Sequence, residues 1–93
     1  MNQKQKKEIL DAMVYTSPFG FARECNDPWD LMGNHNSKQR QRVMLAITGR
    51  KIPKAKCGVN AIKAALANAF EFPHGLASCE FPERIKAERA KLA

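Results

Sequence analysis

Residues 37–56 read SKQRQRVMLAITGRKIPKAK, and the reading of this stretch decides both the fold class and the charge pattern of the chain. Ser37 is a good N-cap. A helix from Lys38 to Thr48, at about 100° per residue, gathers Val43, Met44, Ala46 and Ile47 on one face. That face is expected to be buried. Lys38 and Arg42 lie together on the opposite side. Arg40 falls near the apolar edge, where its stem can cover the core while its head stays wet. Leu45 is the misfit, an apolar residue set between exposed cations. Gly49 ends the helix. In the segment Arg50–Lys56, Pro53 lacks an N–H and disfavours a helical residue before it, so an exposed basic loop or a single turn is expected.

Upstream, the pattern predicts a helix over Gln3–Val14 capped by Asn2, with Ile9, Leu10, Met13 and Val14 on its inner side. Ser17-Pro18 then opens a second, short helix to about Cys25, weakened by Gly20. Trp29, Leu31 and Met32 suggest a brief helical turn before the loop at Gly33–Asn36. Downstream, Asn60 is expected to cap a helix over Ala61–Phe70 whose inner stripe is Ile62, Ala65, Leu66, Ala69 and Phe70. Ala64 and Ala67 leave its other side smooth. A loop over 71–81 precedes a terminal helix from Pro82 to Leu92, supported by Arg84–Glu88, Glu83–Lys86 and Glu88–Lys91 at helical spacing. Its apolar stripe is only Phe81, Ile85 and Leu92, so its last turns are expected to fray. The fold class that follows is all-α: one small domain over 1–93, built of four or five short helices joined by Pro/Gly-containing loops. Its expected core is Ile9, Leu10, Met13, Val14, Trp29, Val43, Ile47, Ile62, Leu66, Phe70 and Ile85.

Charge is distributed unevenly. No carboxylate occurs between Asp30 and Glu71, whereas that interval holds eight cations: Lys38, Arg40, Arg42, Arg50, Lys51, Lys54, Lys56 and Lys63. The other eight Lys and Arg are offset by all nine Asp and Glu, so the formal charge of +7 originates in the middle of the chain. A calculated pI near 9.7 falls in the range typical of nucleic-acid binders. Lys and Arg that neutralise phosphates release counterions, which gives affinity without sequence preference. Lys38, Arg42, Arg50, Lys51, Lys54 and Lys56 are therefore the candidate nucleic-acid contacts, with Gln39 and Gln41 as possible donors to phosphates or base edges. Residues 55–60 followed by a helix from Ala61 look loosely like a helix-turn-helix turn, which would put Asn60, Ala61, Lys63 and Ala64 at the start of the reading helix. Pro53 interrupts where the first helix of such a motif should lie.

Several classes are disfavoured. The basic amino terminus is not followed by the apolar run of a signal peptide, and 64–70 is too short to span a bilayer. A cytosolic protein with no membrane partner is expected. Cys25, Cys57 and Cys79 are odd in number and far apart, as in a reduced chain rather than a disulfide scaffold. Together with His35 and His74 they form no close ligand pair, so neither a metal nor a cofactor is expected. No nucleophile–base pairing or glycine-rich phosphate loop is visible, and catalysis is not expected.

The composition thus points to a regulatory or accessory protein that binds DNA, RNA or a nucleoprotein complex. The alternative is a protein-binding inhibitor or adaptor, of the kind carried by phages and mobile elements. It would block a larger host complex by direct contact with an acidic protein surface. Phe19, Phe21 and Trp29 are its candidate protein contacts, and a homodimer through the Ala64–Ala67 surface is a related possibility.

Overall fold

A computed structural model describes residues 2–17, 19–27, 37–77 and 79–92, apart from the side chain of Ser37. Among these, the elements in chain order are helix α1 (Gln3–Ala12), strands β1 (Val14–Thr16) and β2 (Ala22–Glu24), then helices α2 (Ser37–Thr48), α3 (Val59–Ala69) and α4 (Phe81–Leu92). The protein is predominantly helical, but the two strands form an antiparallel sheet, so it is not strictly all-α. No helix among the described residues is long and apolar enough to cross a membrane.

α1 starts where its cap predicts. Asn2 Oδ1 accepts from the Gln5 N–H at 2.8 Å, and Gln5 Oε1 accepts from the Asn2 N–H at 3.4 Å, a reciprocal capping box. The helix ends earlier than its apolar spacing suggests. Val14, Tyr15 and Thr16 favour extended backbone, and they pair with Glu24, Arg23 and Ala22. The short helix expected from Pro18 to Cys25 is therefore replaced by a hairpin. Ser17 caps a turn in place of a helix: its Oγ accepts from the N–H groups of Phe19 and Phe21, and its own N–H donates to the Phe21 carbonyl at 2.7 Å. Gly20, at φ +89°, supplies the left-handed residue this turn requires. The change of period also moves the inward position. Tyr15 packs against the core, and Val14, expected in it, is only half-buried, because successive strand residues face opposite sides.

The remaining helices bury the stripes read from the sequence. Val43 and Met44 of α2, Ile62 and Leu66 of α3, Phe70 just beyond it, and Phe81 and Ile85 of α4 close around Ile9, Leu10 and Met13 of α1. Ile47 is half-buried at the edge, and Leu45 stands 45% exposed as its misfit position implies. Cys25 and Cys57 join the core completely buried, behaving as small apolar side chains. Trp29 and the turn expected around it lie outside the described residues.

α3 starts at Val59 with Gly58 as its cap, so Asn60 is inside the helix and not its N-cap. Its C-terminus is a Schellman arrangement, in which the Phe72 N–H reaches back to the Ala67 carbonyl at 2.9 Å. The left-handed residue there is Glu71, at φ 57°, where glycine is usual. Replacing it, Glu71→Gly, should raise the unfolding free energy by about 0.5–1 kcal/mol, read from urea denaturation.

α4 remains helical through Leu92. The expectation of fraying overlooked Arg89, whose side chain is only 14% exposed. Its Nε donates to Asn26 Oδ1 at 2.7 Å and lies 3.3 Å from Glu24 Oε2. Its two terminal nitrogens donate to the carbonyls of Leu10 at 3.2 Å and Cys25 at 2.9 Å. Truncation by Arg89→Ala strands these acceptors and should lower stability by about 2–4 kcal/mol. Arg89→Lys should recover less than half of that loss in the same denaturation assay, because one ammonium cannot serve acceptors spread along a planar fork.

Candidate nucleic-acid interface

The six candidate cations occupy α2 and the segment that follows it. Lys38 and Arg42 are exposed one turn apart on α2, and Arg50, Lys51, Lys54 and Lys56 are exposed between Gly49 and Gly58. That segment is not α-helical, and it is held to α2. Thr48 Oγ1 donates to the Met44 carbonyl at 2.7 Å and accepts from the Arg50 N–H at 3.2 Å, which shapes the exit from α2. Gln41 Nε2 then donates to the Ile52 carbonyl at 2.8 Å. From the end of α2 to the level of Gln41 is about 10 Å at 1.5 Å per residue, so the chain folds back along the helix it has just left. A 3-10 turn over Lys54–Lys56 follows, beneath which the Cys57 thiol meets the Pro53 carbonyl at 3.4 Å. The loop-or-turn expectation thus resolves into both, and four cations are held beside the helix that carries the other two.

The ion-pair pattern separates these cations from the rest. Lys6, Lys7, Lys86, Arg89 and Lys91 each contact a carboxylate. None of Lys38, Arg42, Arg50, Lys51, Lys54 and Lys56 forms an ion pair among the described residues. Arg42 is nevertheless not in an acid-free setting. It shares a shallow depression of about 410 Å³ with Glu8, Asp11 and Leu45, since α1 packs against α2. The interval lacks acids along the chain, but folding sets carboxylates of α1 beside one of its cations. Arg42 thereby stands in a less positive setting than the four cations beyond Gly49.

Two expected hydrogen-bonding residues face inward. Gln41 is committed to Ile52, and Gln39 is only 8% exposed, so neither is offered to a base edge. Both polar atoms of the Gln39 amide are buried without a hydrogen-bond partner among the described residues. An apolar side chain of similar size removes that desolvation cost. Gln39→Met should therefore leave stability unchanged or raise it by about 1 kcal/mol, measured by thermal or urea unfolding.

The helix-turn-helix expectation is not met. The chain between α2 and α3 is the ten-residue segment Gly49–Gly58. A 3-10 turn precedes α3 where that motif has a full helix joined by a turn of three or four residues. Asn60, Ala61 and Ala64 are exposed on α3 and Lys63 is half-buried. The smooth side expected at Ala64 and Ala67 is one wall of an open groove of about 710 Å³, completed by Phe72, Leu76 and Phe81, with Lys63 and His74 also on its lining.

Elsewhere, the chemistry-bearing residues are dispersed. Cys25 and Cys57 are buried, whereas Cys79 and His74 are exposed. No three His, Cys, Asp or Glu side chains gather as a metal site among the described residues, and His35 lies outside them. Phe19 and Phe21 project from the hairpin turn at 87% and 75% exposure. Both are candidate contacts by sequence, and they stand on a hairpin turn where a short helix is expected. Comparison with protein-family models, curated proteins and solved structures finds no match to this chain.

Proposed function

We propose that this protein is a non-catalytic, regulatory or accessory binder of nucleic acid or of a nucleoprotein complex, acting through α2 and the segment Arg50–Lys56. The observation that carries this reading is the set of exposed cations at Arg50, Lys51, Lys54 and Lys56, none in an ion pair among the described residues, on backbone anchored at Ile52 and Cys57. Four positive groups within seven residues attract a phosphate chain and release its counterions on contact. Anchoring lowers the entropy lost when such a segment is ordered by a partner. Lys38 and Arg42 extend the positive surface along the helix, and the first turn of α3, where Gly58 offers no side-chain cap, adds backbone N–H groups next in the chain.

Fluorescence anisotropy with duplex DNA, single-stranded DNA and RNA at two salt concentrations tests this. Binding should weaken steeply with salt. Changing Arg50, Lys51, Lys54 and Lys56 together to Gln should make the slope of log affinity against log salt shallower by about 3–4. Absence of binding at low salt, or binding indifferent to salt, would overturn the proposal.

The exposure of Phe19 and Phe21 supports a second reading, in which the chain is an inhibitor or adaptor that contacts an acidic protein surface. A pull-down with and without nuclease distinguishes the two. Partners lost on nuclease treatment belong to the first reading, and partners retained belong to the second.

A further inference from the structure

The hairpin turn holds the most exposed large apolar side chains of the described residues, Phe19 at 87% and Phe21 at 75%. Leaving two phenylalanines in water forgoes hydrophobic stabilisation, and the turn is built in a way that maintains their display. Ser17 binds the N–H groups of both residues through its hydroxyl, and its backbone N–H closes on the Phe21 carbonyl. Gly20 between them accepts the left-handed backbone of the turn. At the hairpin's other end, Arg89 binds the Cys25 carbonyl and Asn26, so the whole projection is braced against the helical body. Both residues are flat aromatic rings, and Arg23 two residues further on lies over the Tyr15 ring at 6.0 Å from its centroid.

We propose that Phe19 and Phe21 form a stacking platform for unpaired bases, so that the preferred ligand is single-stranded nucleic acid or an unpaired loop. This rests on the nucleic-acid reading given above. Bases inside a duplex are stacked on each other and offer no free face, whereas unpaired bases stack on aromatic side chains without regard to sequence. A net charge of +7 favours a polyanion over an apolar partner of the same sign.

The test measures anisotropy of a labelled single strand and of a duplex of the same sequence, at two salt concentrations. Four proteins are compared: the native chain, Phe19→Ala/Phe21→Ala, Phe19→Leu/Phe21→Leu and Phe19→Tyr/Phe21→Tyr. Because both positions are exposed, all four should share one unfolding midpoint by circular dichroism. The native chain should prefer the single strand. The Ala and Leu pairs should each lose about ten- to a hundredfold in single-strand affinity, with duplex affinity and salt slope unchanged, and the Tyr pair should keep it. Retention of affinity by the Leu pair would overturn the proposal, because apolarity without a ring would then suffice. Equal losses on both ligands, or no loss, would also overturn it while leaving the cationic reading intact if the native salt dependence is steep. If the native chain binds neither ligand, both readings fall together, and a nuclease-resistant partner lost in the Ala pair would assign the tip to protein contact.

Discussion

The Arg89 guanidinium is the interaction on which the arrangement of the described residues depends most. It joins three elements distant in sequence: the carbonyl end of α1 at Leu10, the chain leaving β2 at Glu24, Cys25 and Asn26, and α4 itself. A hairpin of two three-residue strands is marginal in water by itself, and the last carbonyls of a helix need partners. One planar group with five N–H donors meets both needs. Its position on the buried side of α4 also gives the end of that helix a reason to stay formed that its apolar stripe does not provide. Burial of the positive charge is compensated by carbonyl and amide dipoles on one side and by the Glu24 carboxylate near the surface.

A second consequence is the partition of charge. On the α1–α4 side, cations and carboxylates answer one another: Glu88, nearly buried, lies between Lys6 and Lys91, and Asp11 holds Lys7. Of these pairs, Lys7–Asp11 is exposed on both sides and contributes little to stability. The larger effect of the pairs is to neutralise that face, which leaves the unbalanced charge on α2 and the segment after it. Arg42 marks the border between the two regimes, on the cationic helix yet beside Glu8 and Asp11.

How much of the candidate site was legible varies by residue. The exposure of Lys38, Arg50, Lys51, Lys54 and Lys56 follows from helical phase and from Pro53, both local properties, and the structure agrees. The inward commitment of Gln39 and Gln41 does not follow from phase alone. Gln41 is captured by a carbonyl eleven residues away, an event decided by where the loop returns. The acid-free interval was visible as a sequence, but the nearness of Glu8 and Asp11 to Arg42 depends on which face of α1 meets α2. Phe19 and Phe21 were noticed for their aromatic character. Their display needed the Ser17 turn, whose donors and acceptors serve either a helix cap or a hairpin equally well.

By itself the sequence determined the helices at Gln3, Ser37, Val59 and Phe81 to within a few residues, the faces they bury, and the concentration of positive charge between 31 and 70. These are consequences of periodicity, capping and composition, which act over one or two turns. Only the tertiary structure decided that Val14–Thr16 leaves α1 to pair with Ala22–Glu24, that Cys25 and Cys57 complete the core, and that Arg89 binds the parts together. Strand pairing and a buried guanidinium require partners far apart in the chain. Their energies exist only once the chain has closed on itself, and no local pattern encodes them.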